Sequence, residues 1–345
     1  MKSWNFGIIG AGLIADFHAK AVQTLTNARL IGICGSNPGK VKTLADKYGC
    51  QAFSDIEEML GSGDIEIVTI ATPSGAHMEP AIEAARYGIH VICEKPLEIS
   101  LSRIDTMIKA HAEAGTRLGG IFNYRFNDTI QYLKKEVDNG RFGTITYASV
   151  HVPWWRNEAY YKNSWHGTLE LDGGGALMNQ SIHMVDILQY LMGPVDSLQA
   201  YVATLAHQIE VEDTAAAILQ FRNKALGVIY GSTASFPGQF RRLEITGTKG
   251  TVIQVENSLK VWQFADQTDD DNEILKSFSR IVGGGGVSDP AAIPFEPHAH
   301  NISAFVDSVE TGKPFEVDGT EARKAVEIIL AIYSSARERR PFYFR

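Results

Sequence analysis

An apolar run, Phe6-Gly7-Ile8-Ile9, leads straight into Gly10-Ala11-Gly12-Leu13-Ile14-Ala15, and this junction constrains the chain more than any other stretch of it. A strand buried on both faces, a glycine turn and a helix from Ala15 to Thr24 gather backbone N–H groups and a helix N-terminus around one point. That point suits a dinucleotide pyrophosphate. The first glycine permits the tight turn, the second lets phosphate approach, and the small Ala15 lets helix and strand pack. Gly10, Gly12, Leu13 and Ile14 are therefore expected to contact the cofactor. A Gly-x-Gly alone is also a common tight turn, so the reading depends on the pattern of the next hundred residues.

That pattern is a regular alternation. Leu30–Cys34, Ile65–Ala71, Val91–Cys93 and Leu118–Ile121 read as strands, with Gly39–Tyr48, Met78–Tyr87 and Leu101–Gly115 as the helices between them. Strands without polar alternation, each followed by a helix, indicate a parallel sheet covered on both faces. After about Asn123 the texture changes. Thr144–Val152, Ser197–Leu205, Thr214–Phe221, Ala225–Ser232 and Arg242–Thr246 alternate apolar with polar residues, as in an antiparallel sheet with one face in a core. Asp172–Leu191 reads as a loop entering a helix, and Asn301–Thr311 and Glu321–Glu338 as closing helices. Gly283-Gly284-Gly285-Gly286, near the acidic Asp269-Asp270-Asp271, reads as a mobile surface loop. The fold class is thus α/β plus α+β. An N-terminal Rossmann dinucleotide-binding domain (1–122) precedes a C-terminal α+β domain (123–345) with a large, mainly antiparallel open sheet. At 345 residues, two cores are the natural division.

Composition narrows the partners. A formal net charge of −8 and scattered basic residues give no footprint for nucleic acid, and Arg337-Glu338-Arg339-Arg340 reads as a solvated helix end. No apolar run is long enough to span a membrane. Cys34, Cys50 and Cys93 are an odd set without Cys-x-x-Cys spacing, which speaks against a disulfide framework and a thiolate zinc site. The start of the chain lacks a basic region followed by an apolar one, so a reducing cytoplasm is the expected setting.

Three further clusters carry chemistry. The second strand ends in Gly35-Ser36-Asn37-Pro38-Gly39-Lys40, without the carboxylate that would bind a ribose 2′-hydroxyl; Ser36, Asn37 and Lys40 are able to hold a 2′-phosphate instead, which tilts the choice between NAD and NADP toward NADP. Glu94-Lys95-Pro96 and Thr72-Pro73-Ser74 with His77 stand at carboxyl ends of strands, where ligands bind in such sheets. Lys95 could stabilise a developing alkoxide there, and a cis bond is expected before Pro96. In the second domain, Asn179 and His183 are four apart on one face of the expected helix, with Asp186 beyond. His183 is a candidate general base, since the unperturbed pKa of a histidine suits proton transfer near neutrality, although a lone helical histidine is more often structural. His298 and His300 with Glu296 have poor spacing for a metal on a Pro-containing loop, and no metal is expected.

With these residues in place the chain resembles the Gfo/Idh/MocA family, that of glucose–fructose oxidoreductase, inositol dehydrogenase and rhizopine catabolism. The resemblance rests on the Gly10 turn followed by His18, Thr72-Pro73 with His77, Glu94-Lys95-Pro96, Asn123-Tyr124-Arg125-Phe126, the Gly-rich segment ending in His183, and the tail from Phe305 to Ser335. It implies hydride transfer between NAD(P) and a ring carbinol of a sugar, sugar nucleotide or cyclic polyol, with Lys95 and His183 as the catalytic pair. Thr72, Pro73, His77, Glu94, Lys95 and Asn123 would line the cofactor, and Tyr124, Arg125, Arg156, Trp165 and Asn179 the substrate. Trp154, Trp155, Tyr160 and Tyr161 would complete an aromatic wall for a sugar, with Arg156 meeting an anion. Inositol dehydrogenase-like members have an aspartate where this chain has Asn179, and an amide cannot take up a proton. The string Gly174-Gly175-Ala176-Leu177-Met178-Asn179-Gln180 looks closest to the branch that includes UDP-N-acetyl-glucosaminuronate 3-dehydrogenase. A homodimer or homotetramer is implied as well. Redox-assisted NAD-dependent glycosidases and non-enzymatic nucleotide-sensing regulators share this scaffold and stay open as alternatives.

Overall fold

The computed structural model describes residues 2–280 and 295–345, so the glycine run at 283–286 lies outside the described residues. The chain forms two compact units. The first comprises Met1–Asn123, Glu170–Gly173 and Phe295–Val326, and the second Tyr124–Leu169, Gly174–Pro294 and Glu327–Arg345. The division is therefore not a single cut after residue 122: a late segment returns to the first unit.

In the first unit, β1 (Trp4–Ile9), α1 (Leu13–Thr24), β2 (Ala28–Cys34), α2 (Pro38–Tyr48), β3 (Gln51–Ala52), α3 (Ile56–Gly61), β4 (Ile67–Ile70), α4 (Met78–Arg86), β5 (His90–Cys93), α5 (Leu101–Ala114) and β6 (Leu118–Gly120) succeed one another. The six strands are parallel, in the order β3-β2-β1-β4-β5-β6, so the winding reverses between β1 and β4. Register places Ile9 beside Cys34 and Ile70, and Ile70 beside Cys93, which brings the carboxyl ends of β1, β4 and β5 level. Local chemistry sets the helix ends: Asn37 caps α2 and Ser100 caps α5, while Gly49 and Gly115 close the same helices in the left-handed conformation.

The second unit contains α6 (Asp128–Asp138), β7 (Ile145–Pro153), α7 (Glu158–Tyr161), a π-helical turn (Ala176–Ser181), α8 (Ile182–Met192), β8 (Val195–Ala203), β9 (Thr214–Phe221), β10 (Leu226–Ser232), β11 (Arg242–Gly247), β12 (Gly250–Val255), β13 (Ser258–Phe264) and α9 (Asp269–Ser277). The acidic Asp269–Asp271 stretch opens α9: Thr268 and Asp271 cap one another's backbone, and the buried Asp271 accepts from Arg141 and from the Trp262 indole. Acidic residues in a first turn favour a helix. One correction arises here: Asn179 lies in the π turn, not on the α-helix that carries His183.

The chain closes with α10 (Glu296–Thr311), α11 (Gly319–Glu338) and β14 (Phe342–Tyr343). α10 begins five residues before the expected Asn301 and absorbs the segment read as a loop. Residues between α10 and α11 cover the open edge of β6: Gly120 N–H donates to the Val317 carbonyl at 2.8 Å, and Gly119 pairs with Asp318. An uncovered edge strand would be a pairing site, and this return closes it. In the second unit eight strands run β13-β12-β11-β7-β10-β9-β8-β14, antiparallel except for β7 with β10. Ala148, Val150, Ala217, Leu219, Ile229 and Ile245 fill the inner face, whereas Tyr201, Ile218 and Leu226 stay exposed on the other. Among the described residues no helix is long and apolar enough to cross a membrane.

Four histidines of the first unit, His18, His77, His90 and His111, are held below their ordinary pKa, in each case chiefly by burial. For His111 the value falls to about 4. Burial thus favours their neutral form on folding, so they contribute stability above the unfolded histidine pKa of about 6.5, and that stability is lost as pH falls through the folded value. Thermal unfolding should therefore drop steeply between about pH 6.5 and 4, and His111→Gln should flatten the drop. An unchanged slope in that variant would contradict this account.

Candidate active site

The carboxyl ends of β1, β4 and β5 assemble the cofactor side within the first unit. Gly10 has φ +123°, and a Cβ there would lie 2.5 Å from the Ala71 carbonyl oxygen, so the fold itself demands glycine. Gly12 differs. Its φ is −90°, and a Cβ would meet nothing within 4 Å. The protein leaves that space empty beside the first turn of α1, which is what an approaching phosphate requires. Leu13 is exposed, Ile14 half-buried and Ala15 buried against the sheet.

At the end of β2, Ser36, Asn37 and Lys40 are exposed, but the Asn37 side-chain oxygen accepts from Lys40 N–H at 3.0 Å and is thus occupied as a helix cap. At the end of β4, Thr72 Oγ1 donates to the Ala76 carbonyl at 2.9 Å, and Pro73 continues the turn. The buried His77 ring sits between the Thr72 carbonyl (3.0 Å) and the Pro96 carbonyl (2.9 Å). The ring thus lies between the turns that follow β4 and β5.

Lys95 is half-buried after β5, followed by a cis peptide bond to Pro96. Beneath it lies Glu94, 6% exposed. Its Oε1 contacts His18 Nε2 at 2.9 Å and His298 Nε2 at 3.4 Å, and its Oε2 accepts from Lys95 N–H at 3.1 Å. Burial pushes this carboxyl up, but the hydrogen bonds from His18 and His298 outweigh burial and hold it well below the usual range. Asn123 Nδ2 donates to His298 Nδ1 at 3.1 Å, which leaves the hydrogen on Nε2 to be given to Glu94. His18, Glu94 and His298 bring three ligand-type atoms within 4.8 Å of one another, and hydrogen bonding accounts for their contacts. His300, two residues on along α10, is exposed, and His298 is the one turned inward. Asn123 Oδ1 is buried without a partner, an acceptor able to serve a bound carboxamide. The open space at Gly12 and this acceptor fit a nicotinamide dinucleotide.

The second unit carries the other cluster. His183, second residue of α8, stacks on Tyr124 with ring centroids 4.5 Å apart and planes 27° apart. Tyr124 Oη accepts from Arg241 Nη1 at 3.0 Å. The π turn before α8 is pinned by Glu212, a residue that sequence reasoning missed. Its carboxylate accepts from Gly175 N–H (2.9 Å), Leu177 N–H (2.8 Å) and Tyr333 Oη (2.9 Å), and its carbonyl from Ala176 N–H. Burial raises the Glu212 pKa despite these bonds. π-helical turns occur often at functional sites, and this one carries Asn179. Its neighbour Gln180 donates to Tyr160 Oη at 3.1 Å, and Arg156, buried, lies 5.5 Å from the Tyr160 ring and 5.1 Å from that of Trp154. Trp165 stacks on His166 at 4.0 Å and His166 reaches Tyr160 at 4.3 Å, while Tyr161 packs against His207 and Trp155 against Phe236.

Arg125 is almost wholly buried, bonded to Asp186 through Nε (2.8 Å) and Nη2 (2.6 Å), and lies over Tyr190 at 4.5 Å. These contacts tie its turn to α8.

Comparison with known proteins agrees with this layout. Residues 4–121 match the oxidoreductase family with an NAD-binding Rossmann fold, and residues 130–253 match the GFO/IDH/MocA C-terminal domain. The chain is similar to the WlbA dehydrogenase of Bordetella pertussis, solved with NADH and UDP-GlcNAcA, at 35% identity and a TM-score of 0.89 over 100% of this chain and 99% of that one. It is similar to the WlbA dehydrogenase of Chromobacterium violaceum, also solved with NADH and UDP-GlcNAcA, at 33% identity and a TM-score of 0.90 over 100% and 97%. The inositol 2-dehydrogenase of Rhizobium meliloti is 28% identical over 97% of this chain and 98% of that protein. Fold and site thus define an NAD-binding oxidoreductase acting on CH–OH groups. The chain belongs to the GFO/IDH/MocA family.

The two glycines should separate folding from binding. Gly10→Ala is expected to cost about 1–3 kcal/mol of stability from strain and overlap. Gly12→Ala should unfold within about 2 °C of the parent yet bind NADH about tenfold more weakly or worse. Calorimetry with NADH titration checks both, and unchanged NADH affinity in Gly12→Ala would refute the phosphate assignment.

Proposed function

We propose that this protein oxidises a secondary ring hydroxyl of an anionic sugar nucleotide to the ketone, passing the hydride to NAD. The observation that carries the reading is the whole-length likeness, at 35% identity, to a dehydrogenase solved with NADH and UDP-GlcNAcA. The likeness of Glu94-Lys95-Pro96 and of the Gly-rich segment ending in His183 to the family's motifs supports Lys95 and His183 as the catalytic pair. In this reading His183 takes the hydroxyl proton as the C–H bond breaks, and the Lys95 ammonium stabilises charge building on the oxygen. NAD, when bound, supplies the hydride acceptor, and the run in the other direction is a ketone reduction. Asn179 orients the substrate by hydrogen bonds, since its amide cannot carry the proton. Arg156 meets an anionic group of the substrate, and Tyr160 and Trp165 offer faces for a sugar or base.

For the second phosphate the reading turns to NAD. Asn37 is used as a helix cap, which removes one of three groups able to hold a 2′-phosphate, and the two WlbA complexes contain NADH. We also infer a homodimer or homotetramer formed through the outer face of the eight-stranded sheet, where Tyr201, Ile218 and Leu226 are exposed. The buried Cys34 and Cys93 thiols suit a reducing compartment such as the cytoplasm.

Sugars, inositols and UDP-sugars should be screened by following NADH formation, with uronic acid nucleotides expected to turn over best and NAD to be preferred over NADP. Lys95→Ala and His183→Ala should each lower turnover at least about a hundredfold while NADH binding persists. Near-normal turnover in either variant sinks the assignment, and product formation without accumulating NADH would point to redox-neutral chemistry instead. Light scattering showing a monomer would overturn the proposed assembly.

A further inference from the structure

A base held on the first turn of a helix still has freedom to rotate its ring about the side-chain bonds. In this chain the face of the His183 imidazole is occupied by Tyr124, 4.5 Å away and close to parallel. Tyr124 itself belongs to a short turn, Asn123–Phe126. The ring is held at its far end. Arg241 donates from Nη1 to Tyr124 Oη at 3.0 Å, and its guanidinium carbon lies 4.1 Å from the ring centroid.

Arg241 is in turn fixed with unusual thoroughness. Its Nη1 lies 2.6 Å from Glu256 Oε2, its Nη2 donates to Asn257 Oδ1 at 2.8 Å, and its backbone N–H donates to Glu256 Oε1 at 3.1 Å. Glu256 N–H returns a bond to the Arg241 carbonyl at 2.9 Å, and Gln254 Nε2 donates to the Glu256 carbonyl. The two charged side chains are 8% and 2% exposed. Glu256 also has φ +52°, a left-handed conformation in the β12–β13 turn that glycine or asparagine adopts with less strain. What glutamate adds at this position is the carboxylate that anchors Arg241. A buried ion pair is weak support for stability, because desolvation offsets most of its attraction. A strained residue and a buried charge pair committed to one tyrosine therefore call for another reason.

We propose that Arg241, anchored by Glu256, is a positioning residue for the reaction: it locks Tyr124, and Tyr124 fixes the plane of the His183 imidazole. This rests on His183 acting as the base and moves Tyr124 from the substrate wall to the support of that base. Small errors in the placement of a reacting group cost rate rather than binding, so the effect belongs in kcat.

The test is a mutant cycle in the full-length enzyme with the best substrate of the screen. Tyr124→Phe keeps the stacked ring and removes only the hydroxyl that Arg241 holds. It should lower kcat about tenfold with KM for sugar and NAD within about twofold. Arg241→Lys should do the same, and the double variant should be no worse than the weaker single variant. In a His183→Ala background, Tyr124→Phe should change the residual turnover less than about twofold. The proposal fails if Tyr124→Phe leaves kcat within twofold of the parent, if the loss appears in KM, or if the two losses simply multiply. Should Arg241→Lys not fold, Tyr124→Phe in the two backgrounds decides alone. A His183→Ala enzyme with near-normal turnover would instead overturn the underlying catalytic reading.

Discussion

A carboxylate taken out of water must be compensated by hydrogen bonds, and Glu94 imposes that condition on the whole first unit. It sits at the end of a central strand, directly under the residue proposed to polarise the substrate. Its donors come from three places far apart in sequence: His18 on α1, the Lys95 backbone, and His298 on α10. Asn123, at the end of the last parallel strand, fixes the orientation of His298. The carboxyl end of β5 is thus tied to α1, which follows the glycine turn, and to α10 near the other end of the chain. His77 does related work nearby, bridging the turns after β4 and β5 through their carbonyls.

Much of this is legible in the sequence, for reasons that can be named. β1, β4 and β5 are largely buried and read as short runs dominated by apolar residues. Gly10 and Gly12 mark a turn whose geometry leaves few options. The alternation in Thr214–Phe221 tracks the pleat residue by residue, with Ala215, Ala217, Leu219 and Phe221 buried. Lys95 and His183 stand out because each sits beside a segment of unusual composition. The hairpin of β12 and β13 escapes a reading of the sequence although Val252 and Gln254 alternate inward, since no strong turn dipeptide marks it.

The residues that escape share one property: their meaning lies in a partner distant in sequence. Glu212 is an ordinary glutamate between Val211 and Asp213 until its carboxylate meets the backbone of the glycine segment 37 residues earlier. His298 reads as half of a poor metal pair because its true neighbour, Glu94, belongs to a strand near the start of the chain. Arg241 and Glu256 are surface-type residues in composition, and only the fold buries them. Arg125 shows the same limit. It stands in a segment rich in functional residues, and position alone does not reveal that Asp186 holds it through both Nε and Nη2.

The return of residues 295–326 to the first unit has a consequence for how the protein comes into being. The nucleotide-binding sheet is translated first, yet its edge strand β6 is covered by Val317 and Asp318, and Glu94 gains its second histidine only from α10. A ribosome-bound nascent chain ending before residue 295 would carry a bare strand edge and a buried acid short of one donor. The first unit, begun at the start of the chain, is therefore complete only at Val326, after most of the second unit has emerged, and the second unit closes with the last residues, Glu327–Arg345.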